Sequence, residues 1–282
     1  MKTPTRTWFI TGASKGVGQK LAKHLLEQGH RVAATSRTAA SLTKVFGQAS
    51  DGFLPLEVDL TDDQSVRRAI EKAVQTFGAI DVVVNNAGYA QQGTVEALSD
   101  DELRQNFEVN FFAPMVVLRH ALPHLRGQRS GHIINIASIV GYQGGYAGWG
   151  SYVASKFALA GLTESLAAEV AELGIRATVV YPGPVRTDFL SSGALAVAKR
   201  QIDDYAEAKA SLDLHLGTLH GHQAGDPDKL ALLIIQAASV ESPPLHLFAG
   251  KIANDLAAVK AKAVAMDLDA WRGSSEATDF VD

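Results

Sequence analysis

Short runs of β-branched and apolar residues alternate with longer stretches of helical periodicity from one end of this chain to the other. Residues 7–11, 31–36, 53–58, 80–85, 132–138, 176–181 and 245–248 read as strands. Several are too continuously apolar to keep one face in water, as expected of parallel strands covered by helices on both sides. Between them, 16–28, 62–77, 101–125, 151–173 and 226–240 read as helices, with Asp62 and Asp226 as caps and Gly29, Gly78 and Gly174 as stops. This rhythm predicts an α/β fold: one doubly wound, seven-stranded, mostly parallel sheet with right-handed crossovers and helices on both faces.

Two stretches fall outside the rhythm. Residues 188–225 form an insertion placed to cover a ligand as a lid, and 273–282 form a polar tail expected to be mobile. With 282 residues, 46% of them apolar, the chain can bury one sizeable core, so 1–282 reads as a single domain. A net charge of −4 and the lack of a long Lys/Arg run argue against nucleic acid or an anionic membrane as partner. Zero cysteines exclude disulfides, thiolate catalysis and Cys-ligated zinc, and fit a reducing cytoplasm. The apolar stretch Trp8-Phe9-Ile10 is too short for a signal segment and no window approaches a membrane span, so the expected location is cytoplasmic.

Chemistry enters at two places. After the first strand comes Thr11-Gly-Ala-Ser-Lys-Gly-Val-Gly18, with glycines at 12, 16 and 18 leading into a helix. Such a turn lets backbone approach a pyrophosphate, and the helix start offers free N–H groups and a positive dipole end. The spacing is wider than G-x-G-x-x-G, and an ordinary glycine-rich βα turn remains an alternative on this motif alone. Farther on, Tyr152 and Lys156 stand at i and i+4 in Ser151-Tyr-Val-Ala-Ser-Lys156. On a helix they share a face, and the ammonium is expected to pull the phenol's pKa down from its ordinary value of about 10. Ser138, at the end of a strand, converges with them at the carboxyl edge of the sheet, where such folds bind ligands.

Together these motifs resemble the short-chain dehydrogenase/reductase family. The resemblance covers about 7–187 and rests on Thr11-Gly12…Gly16-x-Gly18, Asp59, Asn85-Asn86-Ala87-Gly88, Asn110, Ser138, Tyr152 with Lys156, and Pro182-Gly183 with Thr187, in the family's order. It implies a nicotinamide cofactor held by Gly12, Ser14, Lys15, Gly16, Val17 and Gly18. Asp59 and Leu60 would lie at the adenine, Asn86, Ala87 and Gly88 along the adenosine side, and Tyr152 and Lys156 at the nicotinamide ribose. Pro182, Gly183, Val185 and Thr187 complete the cofactor set, Thr187 near the carboxamide. Asn85 reads as mainly structural. The resemblance also makes Tyr152 the acid/base, Ser138 the group that orients the substrate oxygen, and Lys156 the charge that tunes Tyr152, roles that meet the geometric demands of proton transfer beside a carbonyl.

The choice between NADP(H) and NAD(H) turns on the end of the second strand, where an acid would accept from the ribose 2′-OH and an arginine would accommodate a 2′-phosphate. This chain has Ala34-Thr35-Ser36-Arg37 there, and Lys15 supplies a second cation from the glycine turn. Ser36, Arg37 and Lys15 together favour NADP(H) over NAD(H).

Asn110 carries a further clue, because Pro114 lies four residues on in the same helical run. Proline has no N–H to give the carbonyl of residue i−4, so a helix through both frees the Asn110 C=O. In the family the matching asparagine anchors a water in a proton relay to the lysine. A simple packing kink is the alternative.

Other groupings carry less. His220-x-His222 with nearby His215 lacks a carboxylate to complete a metal site, so no metal is expected. Ser138 with Lys156 lacks the nucleophile elbow of a Ser–Lys hydrolase. Trp271, after the periodic run 252–268, reads as a packing anchor. Substrate contacts are expected from 89–93, from 139–150 with Tyr142, Tyr146 and Trp149 as an aromatic wall, and from Phe189, Leu190, Ala194 and Leu195 of the lid, which favours an apolar carbonyl or secondary alcohol. The leading expectation is an NADP(H)-dependent carbonyl reductase or alcohol dehydrogenase; the rivals are an epimerase or dehydratase on the same cofactor and a non-catalytic cofactor-binding sensor. The resemblance further implies a homodimer or homotetramer paired through helices 101–125 and 151–173.

Overall fold

Seven parallel strands form the main sheet of the computed structural model, which describes residues 4–190 and 194–280. In chain order they are β1 (Thr7–Ile10), β2 (Arg31–Ser36), β3 (Phe53–Glu57), β4 (Val82–Asn85), β6 (Gly131–Ile136), β7 (Ile175–Pro182) and β9 (His246–Ala249). Side by side they run β3-β2-β1-β4-β6-β7-β9. The chain winds outward from β1 in one direction and from β4 in the other, so a crevice opens between those two strands at their carboxyl ends. A separate two-stranded parallel sheet joins β5 (Ala90–Gln92) to β8 (Leu195–Val197).

The strand period of two assigns each side chain to a face. In β1, Trp8 and Ile10 pack into a core with Leu21 and Leu25 of α1 (Gly16–Glu27) and with Leu230 and Ile234 of α8 (Pro227–Ser239). Phe9, between them, enters the opposite core with Val66 and Ile70 of α3 (Asp63–Phe77) and Val117 and Leu125 of α5 (Ala113–Gln128). Truncating a fully buried member such as Ile10 or Phe9 costs about 2–5 kcal/mol. Caps follow the sequence: the Asp62 carboxylate accepts from the Gln64 N–H, and Asp226 from those of Asp228 and Lys229. Gly78 and Gly174 end their helices with φ of 85° and 73°.

Several expectations need correction. The run 101–125 is two helices, α4 (Asp100–Phe107) and α5, joined by a π-helical turn over Glu108–Phe112. Pro114, lacking an N–H, stands two residues after that turn, in the first turn of α5, which gives the break its cause. A helix α2 (Ala39–Phe46) follows β2 where none was assigned. The insertion 188–225 holds β8, α7 (Ala206–Asp213) and a second π turn, Leu214–Leu219. The polar tail starts inside a helix: α9 (Lys251–Glu276) runs through Gly273. Residues 191–193 of the insertion and 281–282 of the tail lie outside the described residues. Among the described residues Trp271 is not a buried anchor, being 70% exposed on α9. Among the described residues no helix is long and apolar enough to cross a membrane.

Candidate active site

The glycine turn is built by close contact. A Cβ on Gly12 would lie 2.9 Å from the Ala87 Cα, and one on Gly18 would lie 2.5 Å from the Asn86 Nδ2, so glycine at both positions lets 11–18 pack directly on 85–88. The Asn86 amide donates to the Thr11 and Gly12 carbonyls at 2.9 and 3.0 Å. The Thr11 hydroxyl accepts from the N–H groups of Asn86 and Ala87, both at 3.0 Å. Thr11 is thus a positioning residue that the sequence reading placed only within the motif. Gly16 shares a positive φ with Gly12, +59° against +66°, but a Cβ there would find only Thr187, at 3.8 Å. Gly16 and Thr187 face each other across a gap at the start of α1, and the cap residue Lys15 gives the first turn no side-chain hydrogen bond. That cradle of backbone N–H groups fits a pyrophosphate. Ser14 and Val17 flank it, both partly exposed.

At the adenosine end, Ser36 finishes β2 with its hydroxyl 2.8 Å from that of Ser41 on α2, and Arg37 is exposed beside it. Here the sequence reading missed a residue. Glu57, paired in register with Ser36 across β2 and β3, accepts from the Ala39 N–H at 3.1 Å and brings a carboxylate to this corner. Helix α2 had not been foreseen, so nothing in the sequence pointed to that contact. Asp59 accepts from the N–H and hydroxyl of Thr61 at 2.9 and 2.7 Å, and these bonds hold its carboxyl below the usual range. Leu60 packs on the core beneath it.

At the other end, α6 (Gly150–Val170) buries Ser151, Tyr152, Ser155 and Lys156 along one side. Ser138 accepts from the Val140 N–H at the start of a short 3₁₀ turn, Ile139–Gly141. A Cβ on Gly141 would sit 2.8 Å from the Lys156 carbonyl group, so that glycine lets the turn press on α6 and bring Ser138 into a hydrogen bond with Tyr152. The Lys156 Nζ donates to the Ile136 carbonyl at 2.9 Å and stands 5.9 Å from the centre of the Tyr152 ring.

The electrostatics correct the expectation for Tyr152. Burial pushes the phenol up to about 12, and the Ser138 hydrogen bond only partly offsets this. Burial also brings Lys156 down to about 8. Loss of solvent outweighs the neighbouring cation, and the pair favours a neutral, proton-bearing phenol.

Asn110 lies in the π turn, and its amide is fully engaged: Oδ1 accepts from the Tyr89 N–H at 3.0 Å, while Nδ2 donates to the Tyr89 carbonyl at 2.9 Å and the Ser155 hydroxyl at 3.0 Å. Its side chain is a clamp. Gly88 fits under it, since a Cβ there would come 2.9 Å from Asn110 Oδ1 and 3.4 Å from Lys156 Nζ. Asn85 is structural, donating to Asn135, which donates to Thr163. Pro182 ends β7, Gly183 approaches the start of α9, and Val185 bridges to Gly225, so this strand end and its turn are fixed from the lid side as well.

The aromatic wall forms in part. Trp149, Tyr146 and Phe189 cluster with Tyr152, joined by Val140 and Leu195, and the Phe189 ring centre is 6.0 Å from that of Tyr152. Tyr142 does not join them; it packs edge-on against Tyr181 and Phe248 in a separate core. His215 packs against Trp149 with ring centres 4.6 Å apart and the planes tilted by 49°, and among the described residues no group of His and carboxylates could hold a metal.

Comparison with known proteins agrees with this geometry. The family described as short chain dehydrogenase matches residues 6–195. A 3-ketodihydrosphingosine reductase of Bacteroides thetaiotaomicron is 35% identical over 86% of this chain and 87% of its own length. A short-chain dehydrogenase of Streptomyces avermitilis superimposes with a TM-score of 0.90 over 98% of this chain and all of its own, at 33% identity. The structure of ElxO with NADP bound covers 87% of this chain and 97% of its own, with a TM-score of 0.71 and 26% identity.

Proposed function

We propose, because this chain belongs to the short-chain dehydrogenase/reductase family of oxidoreductases, that it interconverts an apolar carbonyl and its secondary alcohol with NADP(H) as partner. The observation that carries this reading is the Ser138–Tyr152–Lys156 constellation, with Tyr152 and Lys156 buried and Ser138 half-buried, at the mouth of a glycine cradle fitted to a dinucleotide. The cofactor supplies or takes up hydride at its nicotinamide C4. Tyr152, protonated in its buried setting, gives its proton to the carbonyl oxygen in reduction and recovers it in oxidation. Ser138 holds that oxygen by a hydrogen bond. Lys156, anchored to Ile136, supplies positive charge beside the phenol and donors for the ribose hydroxyls. Asn110 fixes Tyr89 and α6 through its side chain, and its backbone carbonyl, freed by Pro114, is the relay's acceptor.

Ser36, Arg37 and Lys15 support NADP(H), and the NADP complex of ElxO is consistent with that choice. Glu57 favours a second reading, NAD(H), because its carboxylate disfavours a 2′-phosphate at the same corner. For the substrate, Trp149, Tyr146, Phe189, Val140 and Leu195 support an apolar ligand beneath a lid formed by 188–225, and the Bacteroides relative is named for reducing a keto group. We take 1–282 as one catalytic unit. Its α5 and α6 flanks, with Phe112 exposed at the start of α5 and Phe157 on α6, support pairing into a dimer or tetramer.

The test is absorbance at 340 nm with a panel of apolar ketones and both cofactors, on wild type and Tyr152→Phe. Consumption of NADPH that falls at least ~100-fold in Tyr152→Phe while nucleotide binding persists is expected. Turnover with no net change at 340 nm would indicate an epimerase or dehydratase. Tight nucleotide binding with no turnover of any substrate would indicate a sensor.

A further inference from the structure

The first ten residues of α9 lie along the body, where Ala253 is buried and Leu256, Ala257 and Lys260 are partly covered. From 261 to 276 every residue is exposed. These roughly four turns carry Val264, Met266, Leu268 and Trp271, with Met266 62% and Trp271 70% exposed. A helix of that length is marginal in water on propensity alone, and an apolar stripe without cover marks an interaction surface.

A second apolar set along α9, which shares Met266 with these residues, names the occupant by its spacing. Ile252, Leu256, Val259, Ala263, Met266 and Ala270 recur at alternating steps of four and three, the seam of a coiled coil. From Val259 to Ala270 large and small residues alternate along it. Packed antiparallel on an identical helix, Ala263 meets Met266 of the second copy and Val259 meets Ala270, so each layer pairs a large side chain with a small one. Parallel packing would set Ala263 on Ala263 and Met266 on Met266, a gap beside a bulge.

Charge selects the same register. It places Lys260 opposite Asp267 of the second copy and Lys262 opposite Asp269, and the two-fold axis repeats both pairs. Sliding by one heptad sets Lys262 against Lys262 in one direction and Asp269 against Asp269 in the other. Among the described residues Lys260, Lys262 and Asp267 form no salt bridge within their own chain, and Asp269 meets only the exposed Arg272, at 3.4 Å. In this arrangement Leu268 and Trp271 lie level with residues 258–261 of the second copy, where its helix leaves its own body.

We infer that α9 is a self-association arm, pairing antiparallel with α9 of a second copy of this chain, on a surface separate from the α5 and α6 flanks. The absence of cysteine makes a clean test possible. Val259→Cys/Ala270→Cys in one chain is expected to give disulfide-linked dimers under mild oxidation, while Val259→Cys alone gives none, because its own copy then lies about 16 Å along the axis. Met266→Glu is expected to halve the mass measured by light scattering with cofactor binding intact, which shows that the body is still folded and separates this result from any failure of the proposed activity. Cross-linking of Val259→Cys alone, no cross-linking of the double variant, or an unchanged mass in Met266→Glu would each overturn the inference.

Discussion

The side-chain amide of Asn110 pairs with both backbone groups of Tyr89, accepting from its N–H at 3.0 Å and donating to its carbonyl at 2.9 Å. A neighbouring strand would satisfy the same two groups, but here a helix-borne side chain does so, just past the Asn86-Ala87-Gly88 turn. The third bond, to Ser155, ties that turn to the helix bearing Tyr152 and Lys156. One residue therefore sets the distance between the proposed cofactor floor and the proposed acid.

Replacing it should be costly. Asn110→Leu strands the Tyr89 N–H, while the Tyr89 carbonyl keeps the Asn106 amide at 3.1 Å, and a loss of about 1–3 kcal/mol is expected in urea unfolding. Asn110→Asp, which keeps the acceptor for Tyr89, should lose less. Equal stability of Asn110→Leu and wild type would remove the clamp from this account.

Lys156 gives a pH signature. Its pKa is about 8 in the folded protein, against an ordinary 10.5, because burial disfavours the ammonium. Between those values the unfolded chain holds the extra proton, so raising the pH stabilises the fold; below about 8 both states are protonated and this slope disappears. The rise amounts to about 3 kcal/mol at most. Chemical denaturation at pH 7.5 and pH 10 should show it in wild type and not in Lys156→Met.

Cofactor preference should divide between two side chains, Arg37 just after β2 and Glu57 at the end of β3. Arg37→Ala is expected to raise the KM for NADPH about tenfold while leaving that for NADH nearly unchanged. Glu57→Gln, which keeps an oxygen for the Ala39 N–H but removes its charge, should move the ratio toward NADPH. Steady-state kinetics with both cofactors measures each shift, and no movement in either variant would place the 2′ position elsewhere.

Gly141→Ala probes how Ser138 is aimed. The added methyl would meet the Lys156 carbonyl group at 2.8 Å and lift the 3₁₀ turn from α6. A fall in kcat of tenfold or more is expected, with cofactor binding kept, since sub-ångström displacement of an orienting group is enough to slow proton transfer. Equal kcat would show that the turn yields without moving Ser138.

The parts of this fold legible in the sequence are those whose pattern is local. Runs such as 82–84 are apolar throughout because both faces are covered, and the Asp62 and Asp226 caps lie where the helical period begins. Tyr152 and Lys156 could be placed together because one helix carries both. What escaped depends on contacts distant in sequence. Helix α2 buries only Leu42, too little to set a period, and with it Glu57 went unnoticed. The direction of the Tyr152 shift was misjudged because i,i+4 spacing reveals the cation but not the loss of solvent. Tyr142 lies three residues from Gly145 in a glycine-rich stretch whose sequence does not show which way the ring turns; Tyr181 and Phe248 decide it. Strands β5 and β8 are three residues each and pair across more than a hundred residues, beyond any periodicity argument.

That small pair of strands also bears on how such a chain can change. Its ladder, Ala90 to Leu195 through Gln92 to Val197, joins neither edge of the seven-stranded sheet. Lengthening or rewriting the cover it anchors leaves the registry of β1, β4 and β6 untouched, so new specificities can be selected, or engineered, without disturbing the scaffold on which the reacting groups are mounted.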